Sequence, residues 1–338
     1  MMLSLSACAT VQWYGQALHG QLSLLSQRED IEQLIAHPET APELRKKLAL
    51  TLEIRAFASE QLGLPDNDSY TDYVELGRDA VLWNVIAVPE FSLQPKTWCY
   101  PLVGCLAYRG WFKRERAERE ADTLAASGFD TRVSPVPAYS TLGKLEDPLT
   151  SAMLRWDEAT LAGLIFHELA HQRVFVSGET AFNEAYATSV ERVGVERWFT
   201  YRNEPDKLKA WQMRLEAHQQ LVDWLLQTRM RLADVYAIDT EHEILGADIL
   251  TAAKQVGFSQ LRAEYRDWAV RRGQDPFAAF FDRPLNNADL ALVSTYEAGV
   301  HAFDALLAKY AQDLEDFHLA VEKLAQAGSD ERADFLNK

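Results

Sequence analysis

Hydrophobic positions recur at helical spacing over residues 10–62: Leu18, Leu22 and Leu25, then Ile31, Leu34 and Ile35, then Leu48, Leu50 and Leu52, interrupted at Pro38 and Pro42. Leu64-Pro65-Asp66-Asn67-Asp68-Ser69 reads as a turn cluster. The period then changes. Residues 81–88 and 106–112 are β-branched and aromatic and read as strands, 113–127 as a charged amphipathic helix, and 130–136 as another strand. From Asp157 helix dominates, over 157–176, 180–200, 204–236, 240–270 and 287–326, with breaks at Gly178, Pro205, an Asp239-Thr240 cap, and Pro276 to Pro284. The expected fold class is α+β, mostly helical, with a small mixed sheet before the 157–176 helix. Glu146-Asp147-Pro148 suggests a division into 9–150 and 151–338, the two parts able to close into one catalytic unit.

Composition narrows the function. The 338 residues are 48% hydrophobic and 25% charged, ordinary globular usage. Against 34 Lys+Arg stand 50 Asp+Glu, a net charge of −16, which argues against nucleic acid as a partner and against adhesion to anionic lipid through a basic patch. No later segment approaches an apolar membrane span. There are 3 cysteines. Leu5-Ser6-Ala7-Cys8 has the small-residue pattern of a lipoprotein cleavage site, with residues 1–8 as the remnant of a signal and Cys8 as the lipidated residue. That leaves Cys99 and Cys105 able to form a disulfide, which suits an oxidising compartment such as the bacterial periplasm. A second reading leaves Cys8 as a chance cysteine in an apolar terminus, because the seven residues before it include no basic one.

The chemistry concentrates in Leu164-Ile165-Phe166-His167-Glu168-Leu169-Ala170-His171-Gln172. Within this HExxH, His167 and His171 lie four apart, so both project from one helix face and can share a Zn²⁺ ion. Glu168 is placed to act as general base on a water and later to protonate the leaving group. The metzincin form is excluded, since Val174 and Ser177 stand where Gly and His are required. The third ligand must lie downstream, at Glu184 or Glu191. Asn183-Glu184 followed by small residues resembles the Asn-Glu segment of gluzincin peptidases, which favours Glu184. Thr188 stands where that pattern often carries an acid orienting a histidine.

Nearly end to end, the chain resembles a bacterial family described as predicted zinc aminopeptidases, often lipoproteins. The resemblance rests on Phe91-Ser92-Leu93-Gln94-Pro95-Lys96-Thr97-Trp98-Cys99, Gly104-Cys105-Leu106-Ala107-Tyr108-Arg109-Gly110, Pro137-Ala138-Tyr139-Ser140-Thr141-Leu142-Gly143, the HELAHQ helix, Phe182-Asn183-Glu184 and Leu285-Asn286-Asn287-Ala288. It implies a zincin-like metallopeptidase with a peptide substrate, and aminopeptidase action within that class. Peptidases of this type lay substrate along an edge strand before the zinc helix, where Tyr139, Ser140 and Thr141 fall in chain order. Tyr296 is the candidate for oxyanion stabilisation, with His242 and His301 behind it. Glu179 or Glu191 could meet a substrate α-amine, and Asn286 and Asn287 are either polar site residues or helix caps. No obligate protein partner is evident. Two other classes remain in play: an inactive zincin-fold lipoprotein or scaffold, and a zinc amidohydrolase acting on cell-wall peptides.

Overall fold

A computed structural model describes residues 3–100, 104–138, 145–242, 246–291, 293 and 299–337. The chain opens with α1 (Leu3–Ser26), β1 (Glu29–Asp30), α2 (Ile31–Ala36), α3 (Pro42–Leu62) and β2 (Asp72–Val74). Then come β3 (Leu82–Pro89), β4 (Trp98–Tyr100), β5 (Gly104–Leu106), β6 (Arg109–Trp111), α4 (Arg114–Ala125), β7 (Phe129–Val136) and β8 (Leu149–Thr150). The remainder is helical: α5 (Glu158–Arg173), α6 (Thr180–Tyr201), α7 (Pro205–His242), α8 (Ala247–Arg272), α9 (Ala278–Phe281), α10 (Asn287–Leu290), α11 (Val300–Lys309), α12 (Leu314–Ala325) and α13 (Ser329–Leu336). The protein is therefore mostly helical with small mixed sheets, an α+β arrangement. Among the described residues no helix is long and apolar enough to cross a membrane.

Two compact units form, each from three separated stretches. The first gathers Met1–Tyr14, Leu82–Pro135 and Gln212–Ser294; the second gathers Gly15–Val81, Val136–Trp211 and Thr295–Lys338. In the first, β3 is apolar and buried along most of its length and takes the centre of a sheet ordered β6-β3-β7. Its face is covered by α4 through Ala117 and Ala121. The expected strand over 106–112 is split in two: Gly104–Leu106 pairs back on Trp98–Tyr100 as a hairpin, and only Arg109–Trp111 joins β3. Cys99 and Cys105 face each other across that hairpin and are joined by a disulfide. Trp98 and Trp111 pack into this unit, each donating its indole N–H to Glu120. In a separate cluster Trp224, Tyr265, Trp268 and Phe281 build the packing of α7, α8 and α9.

Two helix boundaries depart from the sequence pattern. The Asp239-Thr240 pair does not cap a new helix; α7 runs through it to His242, because two moderate helix formers do not stop a helix already propagating. The expected helix over 287–326 is broken into α10, α11 and α12. Gly299 takes φ +86 at the start of α11, and Ala311 and Gln312 take φ +51 and +68 between α11 and α12, conformations no continuing helix can contain.

The second unit packs α3, α5, α6, α11 and α12 around Phe57, Phe166, Phe182, Tyr186, Trp198, Phe303 and Phe317. One buried polar link joins three of these helices. Since a carbonyl only accepts, His318 Nε2–H donates to Leu62 O at 2.9 Å, leaving Nδ1 to accept from the Tyr186 hydroxyl at 2.8 Å. This neutral tautomer is enforced by burial first, and next by the charge of Arg173, which together lower the His318 pKa from 6.5 to about 4. The stability due to neutral His318 is thus complete above pH 6.5 and is lost as pH falls from there towards about 4. We expect wild-type protein to lose up to about 3 kcal/mol through this group over that window. His318→Gln, which does not titrate, should show a correspondingly flatter pH dependence in urea unfolding; parallel curves would contradict the assignment.

Candidate metal centre

Helix α5 begins at Asp157, whose carboxylate accepts the Thr160 N–H at 3.0 Å, an N-cap worth about 1 kcal/mol. Leu161, Ala162, Ile165, Phe166, Leu169 and Ala170 make it apolar on nearly every face, so it is a core helix rather than a surface one. Apart from Glu158 and Thr160 in its first turn and Arg173 at its end, its polar residues are His167, Glu168, His171 and Gln172, forming two i,i+4 pairs on adjacent faces.

The histidine pair faces α6. The chain returns through residues 174–179, turning at Gly178 with φ +83. Asn183, 2% exposed, fastens this return: its Nδ2–H donates to Val176 O and its Oδ1 accepts Val176 N–H, both at 2.8 Å. With the first turn of α6 so fixed, Glu184 points at both histidines. His167 Nε2 lies 3.2 Å from His171 Nε2 and 3.4 Å from Glu184 Oε2, and His171 Nε2 lies 3.6 Å from Glu184 Oε1. The three residues offer ligand atoms all within 4.8 Å of one another, a group that can hold a metal ion.

The spacing tests that fit. Ligand bonds of 2.0–2.1 Å in a tetrahedral site imply ligand–ligand edges of about 3.3–3.4 Å. The shortest approaches between the three residues, 3.2, 3.4 and 3.6 Å, lie near that value, the two imidazoles meeting different oxygens of Glu184. Without an ion the arrangement is electrostatically awkward. Burial works against a charge on His167, yet hydrogen bonds to Glu184 and Glu191 overcome it and raise its pKa to about 10. At His171, burial and then the neighbouring His167 charge lower the pKa to about 4. Burial works to raise Glu184, and the two histidines nonetheless hold it below the ordinary carboxylate range. His171 Nδ1 is buried with no hydrogen-bond partner among the described residues.

Glu191 occupies a position that its sequence spacing did not reveal. Two turns beyond Glu184, its Oε2 accepts from His167 Nδ1–H at 3.1 Å, on the side of the ring away from Glu184. It is therefore the carboxylate that fixes the ring's orientation and leaves Nε2 as the donor. Its place is kept by Gly163, where a Cβ would meet Glu191 Oε1 at 3.1 Å. A glycine one turn before the first histidine was the available signal, and it passes easily for an unremarkable core position.

Other expected site residues fall differently. Tyr139, Ser140, Thr141 and Tyr296 lie outside the described residues. Cys8 and His242 sit in α1 and α7, in stretches whose side chains are not described, and His301 is exposed on α11. Glu179 pairs with Arg332 at 2.9 Å. Asn286 and Asn287 belong to the first unit and are structural there. Asn286 is the N-cap of α10 in a reciprocal capping box with Asp289, while buried Asn287 donates to Glu90 O and Ser92 O, both at 2.9 Å.

A family model described as "Putative aminopeptidase" matches residues 12–336. No curated protein and no solved structure matches the chain.

The electrostatics of the cluster carry a measurable consequence. With its pKa raised to about 10, metal-free His167 is protonated at neutral pH, and a metal ion taking its Nε2 must displace that proton. Metal binding should therefore release about one proton, and affinity should weaken roughly tenfold per unit as pH falls from 8 to 6. Titration calorimetry in buffers of different ionisation enthalpy reads the proton count; binding without proton release would contradict the charge state.

Proposed function

The chain belongs to the putative aminopeptidase family, and on that premise we propose that it is a zinc-dependent peptidase, with His167, His171 and Glu184 as the zinc ligands and Glu168 as the general base. The observation that carries the reading is the convergence of two imidazole Nε2 atoms and one carboxylate at edges of 3.2–3.6 Å, beside a half-buried glutamate next in sequence to the first ligand. Two histidines and a carboxylate are a donor set of catalytic zinc sites, which keep a fourth position open. The fold on this reading is zincin-like. When bound, the ion supplies the Lewis acidity that makes water nucleophilic at neutral pH and polarises a peptide carbonyl.

The chain's own residues supply the rest. Glu168 accepts the proton of the attacking water on its carboxylate and delivers it to the departing amine, so one group serves as base and then as acid. Glu191 keeps the His167 ring from turning, and Asn183 keeps Glu184 on the histidine face. The substrate is a peptide, cleaved at its N-terminal residue on the family's description. The Leu5-Ser6-Ala7-Cys8 sequence and the Cys99–Cys105 disulfide support a bacterial periplasmic location with lipid attachment at Cys8.

Two substitutions separate the roles. Glu168→Gln should retain stoichiometric zinc while kcat falls by about 10²–10⁴-fold; full activity in this variant would sink the mechanism. Glu184→Ala should fold and lose its zinc by elemental analysis, and undiminished zinc content would remove Glu184 from the ligand set. Cleavage of free-amine peptides over N-blocked ones should mark aminopeptidase action, whereas a preference for blocked or internal bonds would replace it with endopeptidase action.

A further inference from the structure

Helix α8 divides its apolar residues between two faces. Leu250, Phe258, Leu261, Tyr265 and Trp268 are buried, packed with Trp224, Leu225 and Phe281 in the cluster that joins α7, α8 and α9. The isoleucine and both valines of the helix stand on the other side. Ile249 is 54% exposed, Val256 55% and Val270 76%, and Ala252 and Ala263 are exposed with them. A single apolar side chain on a surface needs no explanation, but these are aligned. Ile249, Val256, Ala263 and Val270 fall seven residues apart. A seven-residue step departs from whole turns of an α-helix by only about 20°, so the four lie along one side of α8 over about 30 Å. At a position that meets only water, a β-branched residue loses rotamer freedom in a helix and gains no burial. At every seventh position it is what one helix presents to another.

The order of residues along the stripe says which helix covers it. Turned end for end about a two-fold axis between Ser259 and Gln260, the stripe matches itself. Ile249 then meets Val270 of a second copy, Val256 meets Ala263 of that copy, and each contact occurs twice. The charges favour this orientation over the parallel one. The first turn of α8 carries Asp248, and the last carries Arg271 and Arg272. Arg272 is occupied by Glu216 at 3.8 Å and by the Trp268 ring. Asp248 and Arg271 are exposed and have no ion-pair partner among the described residues. The same two-fold axis sets Asp248 of each copy beside Arg271 of the other, whereas parallel helices would set Arg271 against Arg271. Antiparallel helices also oppose their dipoles favourably. The whole chain, at −16, repels its copy, while α8 by itself is net basic, so this face is where that repulsion is least.

We propose that the outer face of α8 is a self-association surface, on which two copies of the chain pair their α8 helices antiparallel through Ile249, Val256, Ala263 and Val270. The pairing lies wholly within the first unit and does not draw on the metal cluster. One helix pair is a small interface, below about 1,200 Å² in total, so the dimer should be reversible, with Kd on the order of 10–100 μM.

Sedimentation velocity on the full chain, from roughly 1 μM to 1 mM, reads the association directly. Wild-type protein should pass from monomer to dimer across that range. Val256→Glu, a charge in the middle of the stripe at an exposed helical site, should raise Kd by about 100-fold or more. Asp248→Arg should weaken the dimer by about 10-fold, and Arg271→Asp added to the same chain should restore it. Circular dichroism and thermal unfolding unchanged from wild type show that each variant keeps its fold. Should Val256→Glu fold poorly, Ile249→Gln with Val270→Gln removes the outer aliphatic groups instead and must weaken the dimer for the proposal to stand. A monomer at every concentration overturns the proposal, as does a dimer that survives these substitutions. A double charge exchange that fails to restore association overturns the antiparallel pairing.

Discussion

The structure depends on how closely α5 and α6 approach. Gly194 lies under the ring of Phe166, where a Cβ would stand 2.6 Å from Cδ2, and Gly163 leaves room for Glu191, whose Oε1 would be 3.1 Å from a Cβ there. Methyl groups at these two places would force the helices apart. A glutamate side chain has a fixed reach, so any separation of the axes moves the Glu184 carboxylate away from the two imidazoles by a comparable amount. The alignment of the three donors is therefore a packing result before it is an electrostatic one.

Around this contact α5 is anchored at both ends. At its start, Glu158 accepts the Trp198 indole N–H at 2.9 Å and pairs with Lys207 at 2.6 Å. At its end, Arg173 donates to Gly63 O and pairs with Glu322 at 3.0 Å and Glu315 at 3.2 Å. Partly exposed pairs such as these contribute little stability individually. Their value here is positional, because a helix that is apolar over most of its length has little polar surface to set its rotation. Such helices slide and turn with little change in buried area, and the end anchors together with Gln172 remove that freedom.

The chemistry was more legible in the amino-acid order than the architecture was. His167, Glu168 and His171 declare themselves because their spacing matches the helical period, and Asn183-Glu184 follows closely enough for a short return. Strand β3 follows directly from a β-branched and aromatic run, and helices α5 and α6 from long apolar stretches bounded by turn residues. What could not be read is anything that depends on contact between distant stretches. Glu191 looked like a competing ligand, because sequence distance does not show which side of an imidazole a carboxylate will meet. The turn at 65–70 was recognisable as a turn, yet its grip on α5 requires Arg55, Asn67, Ser69 and Gln172 to meet across more than a hundred residues of chain. Asp239-Thr240 has the composition of a cap and lies inside α7, since capping residues mark a helix start only where the preceding turn ends.

The unit that carries the metal cluster draws its last stretch from Thr295–Lys338. Phe303 packs against Phe182 and Tyr186, and His318 reaches both Tyr186 and the end of α3. The face of α6 opposite Glu184 is thus covered by residues far downstream of the HExxH helix in the chain. The stretch from His167 to Glu184 carries all three residues of the cluster but not the packing that seats α6 behind them. The geometry of the cluster is therefore a property of the whole unit rather than of the motif alone.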